Sequence, residues 1–149
     1  MSRTDGRSPE LGGNLVYLLK HAQARMAELT AEALRPHGID GRELGVLLSV
    51  AGRVPRSQQE AARRLGIDRT TMVAMLDALE GKGLVSRHPD AEDRRRNVVE
   101  LTDAGQDVLR RATEASDEAE RRFLAPLDPR AARQLRDSLR IVVPGPDDH

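Results

Sequence analysis

The chain has 149 residues, 38% of them hydrophobic and 32% charged, a balance that suits one folded domain and excludes a wholly disordered chain. Its 24 basic and 24 acidic residues cancel, and there is no cysteine, which excludes disulfides, thiolate metal sites and any thiol nucleophile or redox sensor. No apolar run approaches the ~20 residues of a membrane span and the N-terminal MSRTDGRSPE lacks a signal-peptide core, so a cytoplasmic location with no membrane partner is expected.

Residues 1–9 and 144–149 are polar and read as tails. Leu11, Leu15, Leu18, Ala22, Met26, Leu29 and Ala33 recur at helical spacing and predict a long amphipathic helix from Leu11 to about Leu34, stopped by Pro36 and Gly38. Asp40, with Glu43 three residues later, reads as a capping box that opens a second helix through Leu44, Leu47, Leu48 and Ala51, closed by Gly52.

Ser57-Gln58-Gln59-Glu60 is another capping box and predicts a helix of about two turns through Leu65. Gly66-Ile67-Asp68 makes the turn, with Gly66 free to take positive φ and Asp68 capping the next helix. In that helix Met72, Met75, Leu76 and Leu79 fall on one buried stripe, and Gly81 and Gly83 end it. Leu84 to His88 and Asn97 to Leu101 are short extended runs on either side of PDAEDRRR, a β-hairpin with a long tip. Thr102 caps another long helix with Val108, Ala112, Ala115, Ala119 and Phe123 on its apolar face, and Asp128-Pro129 opens a last one carrying Leu135, Leu139 and Val142. The expected fold class is mainly α with a small β-hairpin wing, a winged helix-turn-helix.

The two ends carry more amphipathic helix than a chain of this length needs. Pairing within one chain is one solution; a homodimer with interleaved terminal helices is preferred, because paired reading heads need a two-fold axis. The expected organisation is a helical dimerisation region at 10–36 and 103–143 around a DNA-binding region at 37–102.

Charge placement points the same way. Arg53, Arg56, Arg63, Arg64 and Arg69 oppose only Glu60 and Asp68, whereas residues 114–120 (EASDEAE) are acidic. Ordinary solvated faces give such asymmetry too, but it allows a basic face on a neutral protein. Once the buried stripe is set aside, Arg69, Thr70, Val73, Ala74 and Asp77 remain on the outer face of the second motif helix, with Thr71 beside them. Arg69 and the two hydroxyls suit phosphates and base edges, and Val73 suits a thymine methyl. In the hairpin tip, Asp93-Arg94-Arg95-Arg96 places three guanidinium groups on one projection. An arginine enters a narrow minor groove more readily than a strongly hydrated lysine. Asp93, two residues before Arg95, is expected to brace that guanidinium.

These motifs resemble the MarR family of bacterial transcriptional regulators. Asp93-Arg94-Arg95 leads at the family's spacing into Leu101-Thr102-Asp103-Ala104-Gly105. Leu65-Gly66-Ile67-Asp68-Arg69-Thr70-Thr71 and Leu76-Asp77-Ala78-Leu79-Glu80-Gly81-Lys82-Gly83-Leu84-Val85 follow its recognition-helix pattern, and Tyr17-Leu18-Leu19 and Gly38-Ile39-Asp40 match its first two helices. The resemblance covers about residues 10–143. It implies an obligate homodimer reading a pseudo-palindromic operator in double-stranded DNA. By position, Arg69, Thr70 and Thr71 would meet the major groove, Arg95 the minor groove, and Ser57 and Gln58 phosphates. Ala74 departs from the basic or polar residue of many relatives.

The resemblance also implies a repressor relieved by a small molecule, such as an aromatic anion, for which Tyr17, His21 and Arg25 on the first helix are candidate contacts. Aromatic residues make up only 1% of the chain, which leaves few stacking partners. His21, His37, His88 and His149 are dispersed and give no metal spacing, so neither a metal nor a cofactor is expected. The chain lacks a glycine-rich phosphate loop, HExxH and a nucleophile elbow, so an enzyme is not expected. The alternative is a winged helix that binds protein, or an architectural DNA-binding module without a small-molecule effector.

Overall fold

The computed structural model describes residues 11–52, 66–95 and 97–144. Five helices and one hairpin follow in chain order among these residues: α1 Leu15–Leu34, α2 Gly41–Val50, α3 Arg69–Gly81, β1 Val85–Pro89, β2 Asn97–Leu101, α4 Asp103–Leu124 and α5 Pro129–Val142, with 3₁₀ turns at Leu11–Gly13 and Arg35–His37. The helix predicted from the Ser57 capping box, and with it Ser57 and Gln58, falls outside the described residues, as does Arg96.

Most helix starts are set by one side chain turning back on its own first turn. Asp40 accepts from the Glu43 N–H at 2.8 Å while Glu43 accepts from the Asp40 N–H at 3.2 Å, the reciprocal box expected there. Asp68, Thr102 and Asp128 each accept from the N–H three residues on, at 2.8, 3.0 and 2.7 Å. The first helix begins later than its apolar spacing predicts. Asn14 caps it through the Val16 N–H at 2.8 Å, and Leu11-Gly12-Gly13 forms only a 3₁₀ turn. Two adjacent glycines add about 1 kcal/mol each of helix-propensity cost, which explains the displaced start.

The core lies in the head, where α2, α3, the hairpin and the first half of α4 meet. Leu34, Val46, Leu47, Met72, Leu76, Leu79, Val85 and Val99 are buried there together. Of the predicted α3 stripe, Met72, Leu76 and Leu79 are fully buried and Met75 half-buried. Each buried leucine or methionine contributes about 1.5–3 kcal/mol, so these side chains fix how α3 sits. β1 and β2 pair antiparallel with Val85 opposite Leu101 and Arg87 opposite Val99.

At the base, α1 packs chiefly along α4. Gly105, Ala112 and Ala119, spaced seven apart, are the buried residues of α4. Gly105 makes the closest approach of all: a Cβ built there would lie 1.9 Å from the Leu84 carbonyl oxygen. The ends are left bare. Leu15, Val16, Tyr17, Leu18 and Leu19 of α1 and Leu135, Leu139, Ile141 and Val142 of α5 are exposed, and α5 buries no residue at all. No helix among the described residues is long and apolar enough to cross a membrane.

Candidate nucleic-acid interface

The positive φ of Gly66 (63°) turns the chain into the Asp68 cap that starts α3. Asp68 uses both carboxylate oxygens on Thr71, one on its N–H at 2.8 Å and the other on its hydroxyl at 2.7 Å. The hydroxyl first and the N–H second hold the Asp68 carboxyl below the usual carboxylate range. Thr71 therefore commits its hydroxyl proton within the protein and is half-buried, as is Val73. Arg69, Thr70 and Ala74 are exposed, and Arg69 enters no ion pair among the described residues. The remaining first-turn N–H groups and the positive end of the helix dipole complete an anion-seeking tip.

The hairpin tip carries exposed Arg94 and Arg95, neither in an ion pair among the described residues. Asp93 braces this turn differently from expectation. Its Oδ1 accepts from the backbone N–H of Arg95 at 3.1 Å and does not hold the guanidinium. Two residues is the natural reach of an Asx turn, and the short aspartate side chain meets the backbone before it can meet the end of a long arginine. Asp90 repeats the device on the Glu92 N–H at 3.1 Å. The loop is shaped from within, and the guanidinium groups of Arg94 and Arg95 enter no ion pair among the described residues, which leaves them to phosphates or a groove.

Two long-range contacts that the sequence reading missed join the pieces. Arg87 of β1 reaches α3, its Nε donating to Glu80 at 2.6 Å and its Nη2 to Asp77. Hydrogen bonding to Glu80 first and Asp77 second raises its pKa above the ordinary arginine value. Asp77, expected on the outer reading face, is thus occupied by the wing. Lys82, just past α3, donates to Glu43 at 2.7 Å and to the Gly38 carbonyl at 2.9 Å, tying the end of α3 to the start of α2. The only sequence signal for either contact is complementary charge at positions that the hairpin or the α1–α2 turn brings together.

The candidate ligand residues sit elsewhere. The rings of Tyr17 and His21 on α1 meet at a tilt of 35° with centroids 4.0 Å apart, and Arg25 pairs with Glu28 at 3.7 Å; all three candidates are exposed. A groove of about 730 Å³ between α1, α4 and α5 is lined by Met26, Phe123, Leu135, Leu139, Arg136 and Glu120, among others, and not by those three.

Comparison with known proteins matches this arrangement. A MarR family model matches residues 37–96, which run from the turn before α2 through the wing tip. The solved transcriptional repressor CouR bound to a 23-mer DNA duplex is 36% identical, covering 90% of this chain and 95% of that one with a TM-score of 0.83. CouR from Rhodococcus jostii RHA1 bound to p-coumaroyl-CoA is 28% identical, covering 93% and 98% with a TM-score of 0.79. A mutant MarR from Escherichia coli complexed with operator DNA is 25% identical, covering 87% and 94%, also with a TM-score of 0.79.

Proposed function

The chain belongs to the MarR family of transcriptional regulators, and from that premise we propose that it is a homodimeric, sequence-specific repressor on double-stranded DNA, released by a small-molecule ligand. The observation that carries this reading is the pairing, in one head, of an open α3 N-terminus bearing Arg69 and Thr70 with a wing whose Arg94 and Arg95 are unengaged within the described chain. Arg69 and Thr70, with the Val73 methyls, serve the major groove; Arg95, steadied through Asp93, serves the minor groove. Thr71 contributes its oxygen as an acceptor only, and Ser57, Gln58 and Arg96 supply further backbone contacts.

Residues 10–36 and 103–143 serve dimerisation in this reading. The exposed leucines of α1 and α5 are what a second copy would cover, and the two-fold axis sets the heads on successive half-sites of a pseudo-palindrome. The chemistry is non-enzymatic and belongs in the cytoplasm, where the DNA is. An aromatic anion is the proposed class of effector, since a similar repressor is bound to p-coumaroyl-CoA; Tyr17, His21 and Arg25 are the contacts offered for it.

Genome-wide capture of the DNA bound by this protein in its source organism tests the reading. The expected result is a small set of sites sharing a two-fold symmetric motif with half-sites about one helical turn apart. Absence of enriched sites, or a motif without symmetry, overturns it.

A further inference from the structure

The hairpin is anchored to α3 at its root by apolar packing, where Leu84 and Val85 join Leu79 in the core and the Leu84 N–H donates to the Leu79 carbonyl at 3.0 Å. Beyond the root a two-stranded ribbon has little stiffness of its own. Along β1, side chains alternate, so Arg87 follows buried Val85 on the inner face, opposite Val99. Its side chain is 22% exposed, whereas those of Asp77 and Glu80 are 57% and 45% exposed. The guanidinium therefore leans from the wing onto the solvent-facing edge of α3. Asp77 and Glu80 are three residues apart on one helix face and take different nitrogens of the same planar group. Such two-point capture fixes orientation as well as distance, which a lysine ammonium cannot do. Among the described residues it is the one set of ion pairs between hairpin and α3.

We infer that Arg87 is a positioning residue that sets the register between the two DNA-reading elements. This inference rests on the DNA-binding reading above. The wing tip and the α3 N-terminus address different grooves, and the phosphate path fixes the distance between those grooves. A wing held at one angle accepts its minor-groove segment at one offset from the major-groove half-site; an unclamped wing accepts several. The clamp also sets one positive charge against Asp77 and Glu80, which halves the negative charge that this edge of the reading helix presents to phosphates.

The test uses the full-length protein, a captured duplex, and a second duplex in which the A·T-rich segment under the wing is moved by one base pair relative to the half-site. Wild type is expected to lose about tenfold in affinity on the shifted duplex, comparable to a mismatched base pair. Arg87→Lys keeps the charge but not the fork, and is expected to bind the original duplex less tightly and to lose less than about threefold on the shifted one. The double variant Asp77→Asn/Glu80→Gln, with wild-type Arg87, is expected to show the same flattened preference. Thermal midpoints within about 2 °C of wild type distinguish positioning from loss of fold. The inference is overturned if Arg87→Lys keeps the tenfold preference, or if affinity and midpoint fall together in both variants. Failure of wild type to bind any captured duplex removes the DNA reading itself and the clamp with it, a result distinct from a preference that persists without the fork.

Discussion

Arg95→Ala is expected to weaken binding to the operator roughly 100-fold while leaving the thermal midpoint unchanged, on the basis of about tenfold per wing and two wings in the proposed dimer. The side chain is exposed and enters no ion pair among the described residues, so its removal costs the fold nothing that can be seen. What it does is decided by placement. Asp93 pins the Arg95 N–H at 3.1 Å, and this turn aims the residue outward at the tip of the hairpin. A guanidinium delivered to a narrow minor groove meets enhanced negative potential. Asp93→Ala should therefore lose part of the same effect by loosening the backbone, though it removes a negative charge and so helps binding electrostatically. Fluorescence anisotropy at fixed salt, with thermal unfolding of the free variants, checks both. An Arg95→Ala protein that binds within twofold of wild type would place the wing outside the interface.

Gly105→Ala carries the largest expected effect on stability. The new methyl would lie 1.9 Å from the Leu84 carbonyl oxygen and 2.9 Å from its carbonyl carbon, both backbone atoms. Leu84 cannot easily retreat. Its N–H donates to Leu79 at 3.0 Å, its carbonyl accepts from the Thr102 N–H at 3.1 Å, and Thr102 also donates its hydroxyl to the Gly83 carbonyl at 2.6 Å. The start of α4 and the root of the wing are thus one knot, and overpacking it should cost about 3 kcal/mol. For a chain of this length that is a fall of about 6–12 °C in thermal midpoint. Circular dichroism melting measures it, and a fall below about 2 °C would show that the knot yields freely. Because the knot also carries the wing, the variant should bind DNA more weakly even at temperatures where it remains folded.

These two residues mark the boundary of what the sequence makes legible. Asp40, Asp68, Thr102 and Asp128 were readable as caps because each acts on an N–H three residues away, a distance fixed by helix geometry alone. The α3 stripe was readable for the same reason, since period alone decides which side faces the core. Gly105 stands in a recognisable Leu-Thr-x-x-Gly pattern, yet its reason is a carbonyl twenty-one residues earlier, which no local rule supplies. Arg87 and Asp77 show the same limit: each looks solvated along its own element, and only the hairpin's fold-back brings them together. Asp93 lies between these cases. Its two-residue spacing from Arg95 correctly located a brace, but on the backbone rather than the side chain. Excess apolar surface on the terminal helices was legible, and the exposed leucines of α1 and α5 show that surface left bare in the single chain.

The most direct test of the account is the affinity of the wild-type protein for a captured duplex and for a scrambled one, across salt concentrations. With Arg69, Arg94, Arg95 and Arg96 engaged on each of two heads, log affinity should fall with log salt at a slope of roughly −7. The captured duplex should hold an advantage of about a thousandfold, at the modest end for specific binders, because Val73 and Ala74 offer no hydrogen bonds to bases. No binding to either duplex at low salt, or an affinity indifferent to salt, would contradict it and leave a winged helix that recognises protein.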